Sequence, residues 1–196
     1  MRAVRSVRAS VSDGQVNAGL DAMQPTAIVL HGPTSAGKTT LAKALQATSP
    51  VPAFHVSLDA FVTMSNRRDM RNDEERAKAY KLHCENLRST LSRMAQTEFD
   101  IILDLVLRDE AELQACLKAL SGRATYLIGV SAPLSVLEAR ERERPDRASG
   151  IAREQSADPV YRRQYDLMLD TSMTTPEAGA AAVRKFVSEG SRRTPA

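Results

Sequence analysis

The chain has 196 residues, of which 42% are hydrophobic and 26% charged, and its formal net charge is +3. The composition is ordinary for a soluble globular protein, and the length suffices for one domain with a hydrophobic core. Aromatic residues make up only 4% of the chain, and no basic block is interleaved with them, so we expect no nucleic-acid partner. Two cysteines exclude a disulfide framework. The low cysteine content indicates a reducing compartment, so we predict a cytoplasmic protein. Because no apolar run approaches about 18 residues, we expect no transmembrane helix and no membrane partner.

The two ends of the chain differ in composition from the rest. Residues 1–24 are predicted to be a disordered leader, although Arg2, Arg5 and Arg8 precede any acid and faintly resemble a targeting segment. No apolar region follows them, so a secretory signal is not expected. Residues 189–196 are polar and are predicted to be a disordered tail. A single domain is therefore expected over residues 25–188.

Hydrophobic periodicity predicts strands that alternate with helices along this domain. In chain order, the elements are strand 27–31, helix 38–47, strand 53–58, helices within 72–96, strand 100–107, helix 109–120, strand 124–130, helix 133–143, a helix near 149–156, strand 166–170 and helix 176–188. Such alternation predicts an α/β protein in which helices cover both faces of a five-stranded parallel sheet, a three-layer α/β/α arrangement. Ligands of such sheets bind at the carboxyl ends of the strands.

The first predicted strand leads into a phosphate-binding P-loop. The residues Gly32, Pro33, Thr34, Ser35, Ala36, Gly37, Lys38 and Thr39 fill the pattern G-x-x-x-x-G-K-[ST], and a predicted helix follows. The loop amides and the positive end of that helix would together face an anion. We predict that this loop and the following Thr40 bind the phosphates of ATP, with Lys38 at the β- and γ-phosphates and Thr39 ligating Mg²⁺.

Two acids follow neighbouring strands and are predicted to work beside this loop. Asp59 follows the second strand, where it could accept a proton from a substrate hydroxyl or orient it; the alternative is an N-cap of the next helix. Asp104 ends an apolar run in the third strand, the Walker B arrangement, and is predicted to hold Mg²⁺ together with Thr39. Asp109 is predicted to be the N-cap of the next helix and not a site residue.

An arginine-rich segment near residue 140 is predicted to form a lid. Arg140 and Arg144 are four residues apart, Pro145 disfavours helix at Arg144, and Arg147 follows. We predict that these arginines stabilise charge on a transferring phosphoryl group. The alternative is a solvated helix of mixed charge with a Glu138–Arg142 pair. A second cluster, Arg67, Arg68 and Arg71, is either a contact for an anionic substrate or a solvated surface.

Four segments resemble chloramphenicol phosphotransferases. They are the Ser-Ala-Gly-Lys form of the P-loop at 32–39, the strand that ends at Asp59, the arginine-rich stretch 138–150 with its Arg-x-Asp-Arg-x-x-Gly ending, and the segment 165–171 that ends in Asp-Thr. The resemblance covers roughly residues 27–185. Two features depart from the family: the stretch between Asp59 and Asp104 is shorter and richer in arginine, and Leu105 replaces a second acid.

The resemblance implies a P-loop kinase fold and transfer of the γ-phosphoryl group of ATP to a hydroxyl of a small molecule, plausibly an antibiotic. It also implies that Asp59 is the base, that Lys38 and Thr39 are phosphate ligands, and that Arg140, Arg144 and Arg147 belong to the lid. Three alternatives stay open: a kinase of another acceptor such as a nucleotide sugar, of the zeta-toxin type; an NTPase or switch without a small-molecule acceptor; and a nucleic-acid kinase. The sequence does not indicate the oligomeric state or the adenine-binding residues.

Overall fold

Strands and helices alternate along the whole domain in the computed structural model, which describes residues 24–66, 70–144 and 150–191. The strands are β1 Thr26–His31, β2 Ala53–Ser57, β3 Asp100–Leu105, β4 Ala124–Ser131 and β5 Leu167–Asp170. The helices are α1 Lys38–Ala47, α2 Leu58–Val62, α3 Asp73–Met94, α4 Glu110–Ala119, α5 Leu134–Arg142, α6 Ile151–Ala157 and α7 Pro176–Ser191, and a 3-10 turn spans Pro159–Arg162. None of the helices in these ranges combines the length and apolarity needed to cross a membrane.

The five strands form one parallel sheet in the order β2-β3-β1-β4-β5. Strand β1 is central and is buried along its whole length. Its residue His31 pairs with Leu105 of β3 on one side and with Gly129 of β4 on the other. The carboxyl ends of these three strands therefore meet at one edge of the sheet, which is where ligands bind in this architecture.

Alternate residues of the strands supply two separate hydrophobic layers. Ala27 and Val29 of β1 face a cluster that includes Leu87 of α3 and Leu113 of α4. Ile28 and Leu30 face the cluster on the opposite side of the sheet. That cluster includes Leu41 of α1, Leu137 of α5 and Val183 of α7. Because successive side chains of a strand point to opposite faces, the apolar run at 27–30 fills both layers. The predicted α/β/α arrangement and five-stranded parallel sheet are confirmed.

The element boundaries differ from the predicted ones in a few places. The second strand ends at Ser57, and the chain turns at once into α2, so Asp59 lies in the first turn of a helix and not at a strand end. Asp109 is the N-cap of α4, as predicted, since its carboxylate accepts from the amides of Ala111 and Glu112. Helix α7 runs to Ser191, into the region predicted as tail. The predicted leader up to residue 23, Arg67, Arg68 and Arg147 lie outside the described residues.

Candidate active site

The P-loop connects β1 to α1, and its two motif glycines are required for different reasons. A Cβ on Gly32 would lie 2.0 Å from the carbonyl oxygen of Val130, so any side chain there would collide with β4. Gly37 has a φ of 86° and is the N-cap of α1, a left-handed conformation that glycine adopts without steric cost. The loop therefore passes close to the end of β4 and delivers the first turn of α1 to the site.

Polar groups of the loop are buried but leave capacity for an anion. Lys38 is buried, and its Nζ donates to the carbonyl oxygen of Pro33 at 2.7 Å. Ser35 has a φ of 60°, and its buried hydroxyl has no hydrogen-bond partner among the described residues. A buried hydroxyl without a partner is costly, and a phosphate oxygen would satisfy it. The loop therefore fits the phosphate-binding role predicted for it.

Thr39 and Asp104 form a direct contact at the start of α1. The Thr39 hydroxyl donates to Oδ2 of Asp104 at 2.6 Å, and Nε2 of His55 lies 3.8 Å from the same oxygen. Burial favours a higher pKa for the Asp104 carboxyl, but His55, the charge of Lys38 and the Thr39 hydrogen bond together hold the pKa below its usual value. The carboxylate is therefore ionised at neutral pH.

This oxygen pair suits Mg²⁺ better than a metal that is held by protein ligands alone. No group of three or more His, Cys, Asp or Glu side chains within the described ranges could hold a metal ion. Magnesium is usually bound by one or two carboxylates together with water and substrate phosphates. The hydroxyl of Thr39 and the carboxylate of Asp104, beside a phosphate-binding loop, supply that donor set.

Asp59 lies at the same small cavity as this pair. The cavity is lined by residues from the P-loop, α2 and the end of β3, which include Lys38, Thr39, Asp59, Asp104 and Arg144. Asp59 is exposed in the first turn of α2. With Thr34, Ser35, Gly37 and Thr40, nine of the predicted site residues line this cavity, although they come from four separate parts of the chain.

The three predicted lid arginines have different positions. Arg144 is exposed and lines both this cavity and a larger one. Arg140 is bound to protein groups: its guanidinium donates to Oγ1 and the carbonyl of Thr171 at 2.9 and 3.0 Å, and to the carbonyl of Ser35 at 3.3 Å. Arg147 lies outside the described residues. In place of the Glu138–Arg142 pair of the alternative interpretation, Glu138 pairs with Arg153 of α6 at 2.7 Å.

The larger cavity adjoins the smaller one, with which it shares Ser35, Gly37, Thr40 and Arg144, and has a volume of about 400 Å³. Its walls come from the loop and α1, from Arg140 and Arg144, and from the segment 169–179 that joins β5 to α7. Thr171 connects these parts, since its hydroxyl donates to the carbonyl of Ala36 at 2.9 Å. A cavity of this size beside the phosphate loop could hold a nucleoside.

Three polar residues at this site were missed by sequence reasoning. Gln155 accepts a hydrogen bond from the amide of Thr34 at 2.7 Å, and Glu141 accepts from the amides of Gly150 and Ala152, both at 2.8 Å. His31, directly before the loop, is fully buried. The only local signal was their type, a polar residue within an otherwise apolar segment or helix face, and that signal does not identify a partner.

His31 is held as a neutral imidazole between three parts of the chain. Its Nε2 lies 2.9 Å from the carbonyl oxygen of Leu107, and its Nδ1 lies 2.8 Å from the hydroxyl of Tyr165. Because a carbonyl only accepts, Nε2 carries the proton and Nδ1 accepts from Tyr165. The ring also stacks on Tyr161 with centroids 4.9 Å apart. Burial lowers the pKa of His31 to about 4, with the carbonyl of Leu107 opposing and Lys38 adding to the shift.

A P-loop after the central strand of a 2-3-1-4-5 parallel sheet defines the class: the chain is a P-loop kinase, a nucleotide-binding phosphotransferase. It belongs to the chloramphenicol phosphotransferase-like protein family, whose model matches residues 25–188. The predicted family resemblance is thereby confirmed. No curated protein matches the chain.

Solved structures with the same fold share little sequence with it. A protein from Chloroflexus aurantiacus is 20% identical, with 88% of this chain and 100% of that chain covered and a TM-score of 0.65. The APS kinase of Mycobacterium tuberculosis, in complex with AMPPNP and APS, is 15% identical over 84% and 98% of the two chains, with a TM-score of 0.62. A tunicamycin resistance protein of Deinococcus radiodurans is 17% identical over 83% and 95%, with a TM-score of 0.60. At these identities the likeness supports the fold alone.

Proposed function

We propose that this protein transfers the γ-phosphoryl group of ATP to a hydroxyl of an uncharged small molecule, and that an antibiotic of the chloramphenicol type is the first acceptor to test. The observation that carries the proposal is that Asp59, Asp104, Lys38 and Thr39 line one cavity at the P-loop. A carboxylate for the acceptor proton and an oxygen pair for the metal thus flank the place where the loop binds phosphate.

Each side chain has a separate task in this proposal. Asp59 accepts the proton of the acceptor hydroxyl while the oxygen of that hydroxyl attacks the γ-phosphorus. The bond between the γ-phosphorus and the β,γ-bridging oxygen breaks, and ADP is released. Lys38 and Arg144 balance the negative charge on the transferring group. Thr39 and Asp104 would hold Mg²⁺, which when bound neutralises charge on the β- and γ-phosphate oxygens. Arg140 fixes the loop against Thr171.

The preference for an uncharged acceptor rests on the charges near Asp59. Burial raises the pKa of Tyr80 of α3, and Cys84, Glu112 and Asp59 add to that shift, which indicates that this aromatic ring lies near Asp59 and near a second carboxylate. Among the described residues, Arg144 lines the cavity itself, whereas four arginines between residues 71 and 108 are paired with acids. These pairs are Arg71–Glu75, Arg76–Asp73, Arg88–Glu112, and Arg108 with both Glu154 and Asp158.

Two solved structures with the same fold guide the choice of acceptors to test. One is described as a tunicamycin resistance protein, and the other was crystallised with APS, an anionic nucleotide. The paired arginines favour an antibiotic over an anionic nucleotide as the acceptor. The nucleotide-sugar alternative would depend on the cluster that includes Arg71, and Arg71 already binds Glu75 through its guanidinium and its amide.

The test is ATP consumption with acceptor panels, combined with product mass. The panel contains neutral hydroxyl antibiotics, nucleotide sugars and anionic metabolites, and the variants are Asp59→Asn and, as a matched control, Asp73→Asn in the first turn of α3. We expect one neutral compound to gain a single phosphoryl group, with kcat lowered about 10²–10⁴-fold in Asp59→Asn and unchanged in Asp73→Asn. Stimulation by nucleotide sugars alone would support the zeta-toxin type. Hydrolysis that needs no acceptor and survives Asp59→Asn would support an NTPase.

A further inference from the structure

Three polar side chains from other parts of the chain bind the backbone of the P-loop. Arg140 and Thr171 donate to loop carbonyls, those of Ser35 and Ala36. The third contact differs in kind, because Gln155 of α6 accepts from a loop amide, that of Thr34, at 2.7 Å. Loop amides are the groups that bind phosphate in this motif. By accepting from one of them, Gln155 fixes the orientation of the peptide unit at Thr34 within the loop.

Gln155 is suited to this because its own position is fixed. Its side chain is only 9% exposed, and a buried amide has few alternative partners. Its helix is fixed in turn by Glu141 of α5, which is 4% exposed and accepts from the amides of Gly150 and Ala152 at the start of α6. Two buried hydrogen bonds, from Ala152 to Glu141 and from Thr34 to Gln155, therefore connect α5 through α6 to the loop.

We infer that Gln155 is a positioning residue for phosphate binding, and that Glu141 positions the helix that carries it. This inference rests on the proposed function, in which the loop binds the phosphates of a nucleotide. A loop with a glycine at each end has many accessible conformations, and fixing one of them in advance lowers the entropy lost on binding. The effect should therefore appear for ligands that carry phosphates and not for the nucleoside alone.

The test compares ADP with adenosine by titration calorimetry. Gln155→Leu keeps nearly the same volume but cannot accept from Thr34, so we expect ADP to bind about tenfold more weakly and adenosine to bind within about twofold of the wild type. Glu141→Gln, which puts an NH₂ group against one of the two amides of α6, should weaken ADP binding in the same selective way. The matched control is Gln114→Leu, an exposed glutamine whose side chain bonds only within α4, to Glu110.

The outcomes separate this inference from the proposed function. Equal weakening of ADP and adenosine, or unchanged ADP binding in Gln155→Leu, would refute the positioning role. If Gln155→Leu does not fold, Gln155→Asn decides instead, since its shorter amide stays polar but cannot reach Thr34. Failure of the wild type to bind ADP at all would overturn the proposed function, and this inference with it.

Discussion

Acidification from pH 7 to pH 5 is expected to destabilise the fold through His31. Its pKa is about 4 in the folded protein and about 6.5 in an unfolded chain. Between these values the unfolded chain binds a proton that the folded protein does not, so stability falls as the pH falls. Linkage with these two values gives a loss of about 2 kcal/mol between pH 7 and pH 5. Below about pH 4 the loss levels off, because both states are then protonated.

The contribution of His31 to this loss of stability can be measured with one substitution. His31→Gln retains an amide donor and acceptor but does not titrate, so the pH dependence of every other group is common to both proteins. Urea unfolding, followed by circular dichroism, gives the free energy of unfolding at each pH. At pH 7 the variant should be less stable, because it loses the stacking on Tyr161. At pH 5 the gap should be smaller by about 2 kcal/mol.

A gap between wild type and His31→Gln that stays constant from pH 7 to pH 5 would refute this reasoning. It would mean that the buried imidazole titrates with the same pKa in both states. A gap that widens on acidification would mean that the folded protein prefers the charged ring, contrary to the neutral tautomer that the carbonyl of Leu107 and the hydroxyl of Tyr165 require.

Two further predictions concern the nucleotide site. Asp104→Asn should remove most of the gain in ADP affinity that Mg²⁺ gives the wild type, while ADP binding without Mg²⁺ is retained or improved because a negative charge is lost. Calorimetry with and without Mg²⁺ checks this prediction. An unchanged gain would exclude Asp104 as a ligand of Mg²⁺. Arg140→Lys should weaken ADP binding about tenfold and leave kcat nearly unchanged, since an ammonium group cannot reproduce the two hydrogen bonds of the guanidinium to Thr171. A large loss of kcat at constant ADP affinity would instead assign Arg140 to the transfer step.

The parts of the site that follow one another in sequence were predictable, and those joined by packing were not. The P-loop and its flanking elements were visible because strand, loop and helix are consecutive and each has a local pattern. Asp104 was visible because it ends an apolar run in β3. The helix α2 was not, since five residues after a strand carry too little periodicity to define a helix. Its presence moves Asp59 from a strand end into a first helical turn.

Contacts across the sequence explain the remaining differences. Arg140 was predicted from charge spacing to face a phosphoryl group, but its partner Thr171 comes 31 residues later. Gln155 and Thr34 are separated by 121 residues. No local pattern encodes either pair, because hydrogen-bond partners at such separations depend on how the strands are ordered in the sheet. That order and the packing of α6 on α5 bring Thr171 and Gln155 beside the loop.

The contacts of Thr171 make the stability of the β5 edge of the sheet depend on ligand binding at the P-loop. Strand β5 has four residues and pairs on one side only, with β4, so by itself it would open more readily than the central strands. Beyond its end, Thr171 binds the carbonyl of Ala36 in the phosphate loop and the guanidinium of Arg140, which itself binds the loop at Ser35. Opening this edge would therefore release the loop as well. Any ligand that requires the ordered loop should therefore slow amide exchange in β5 and in the start of α7.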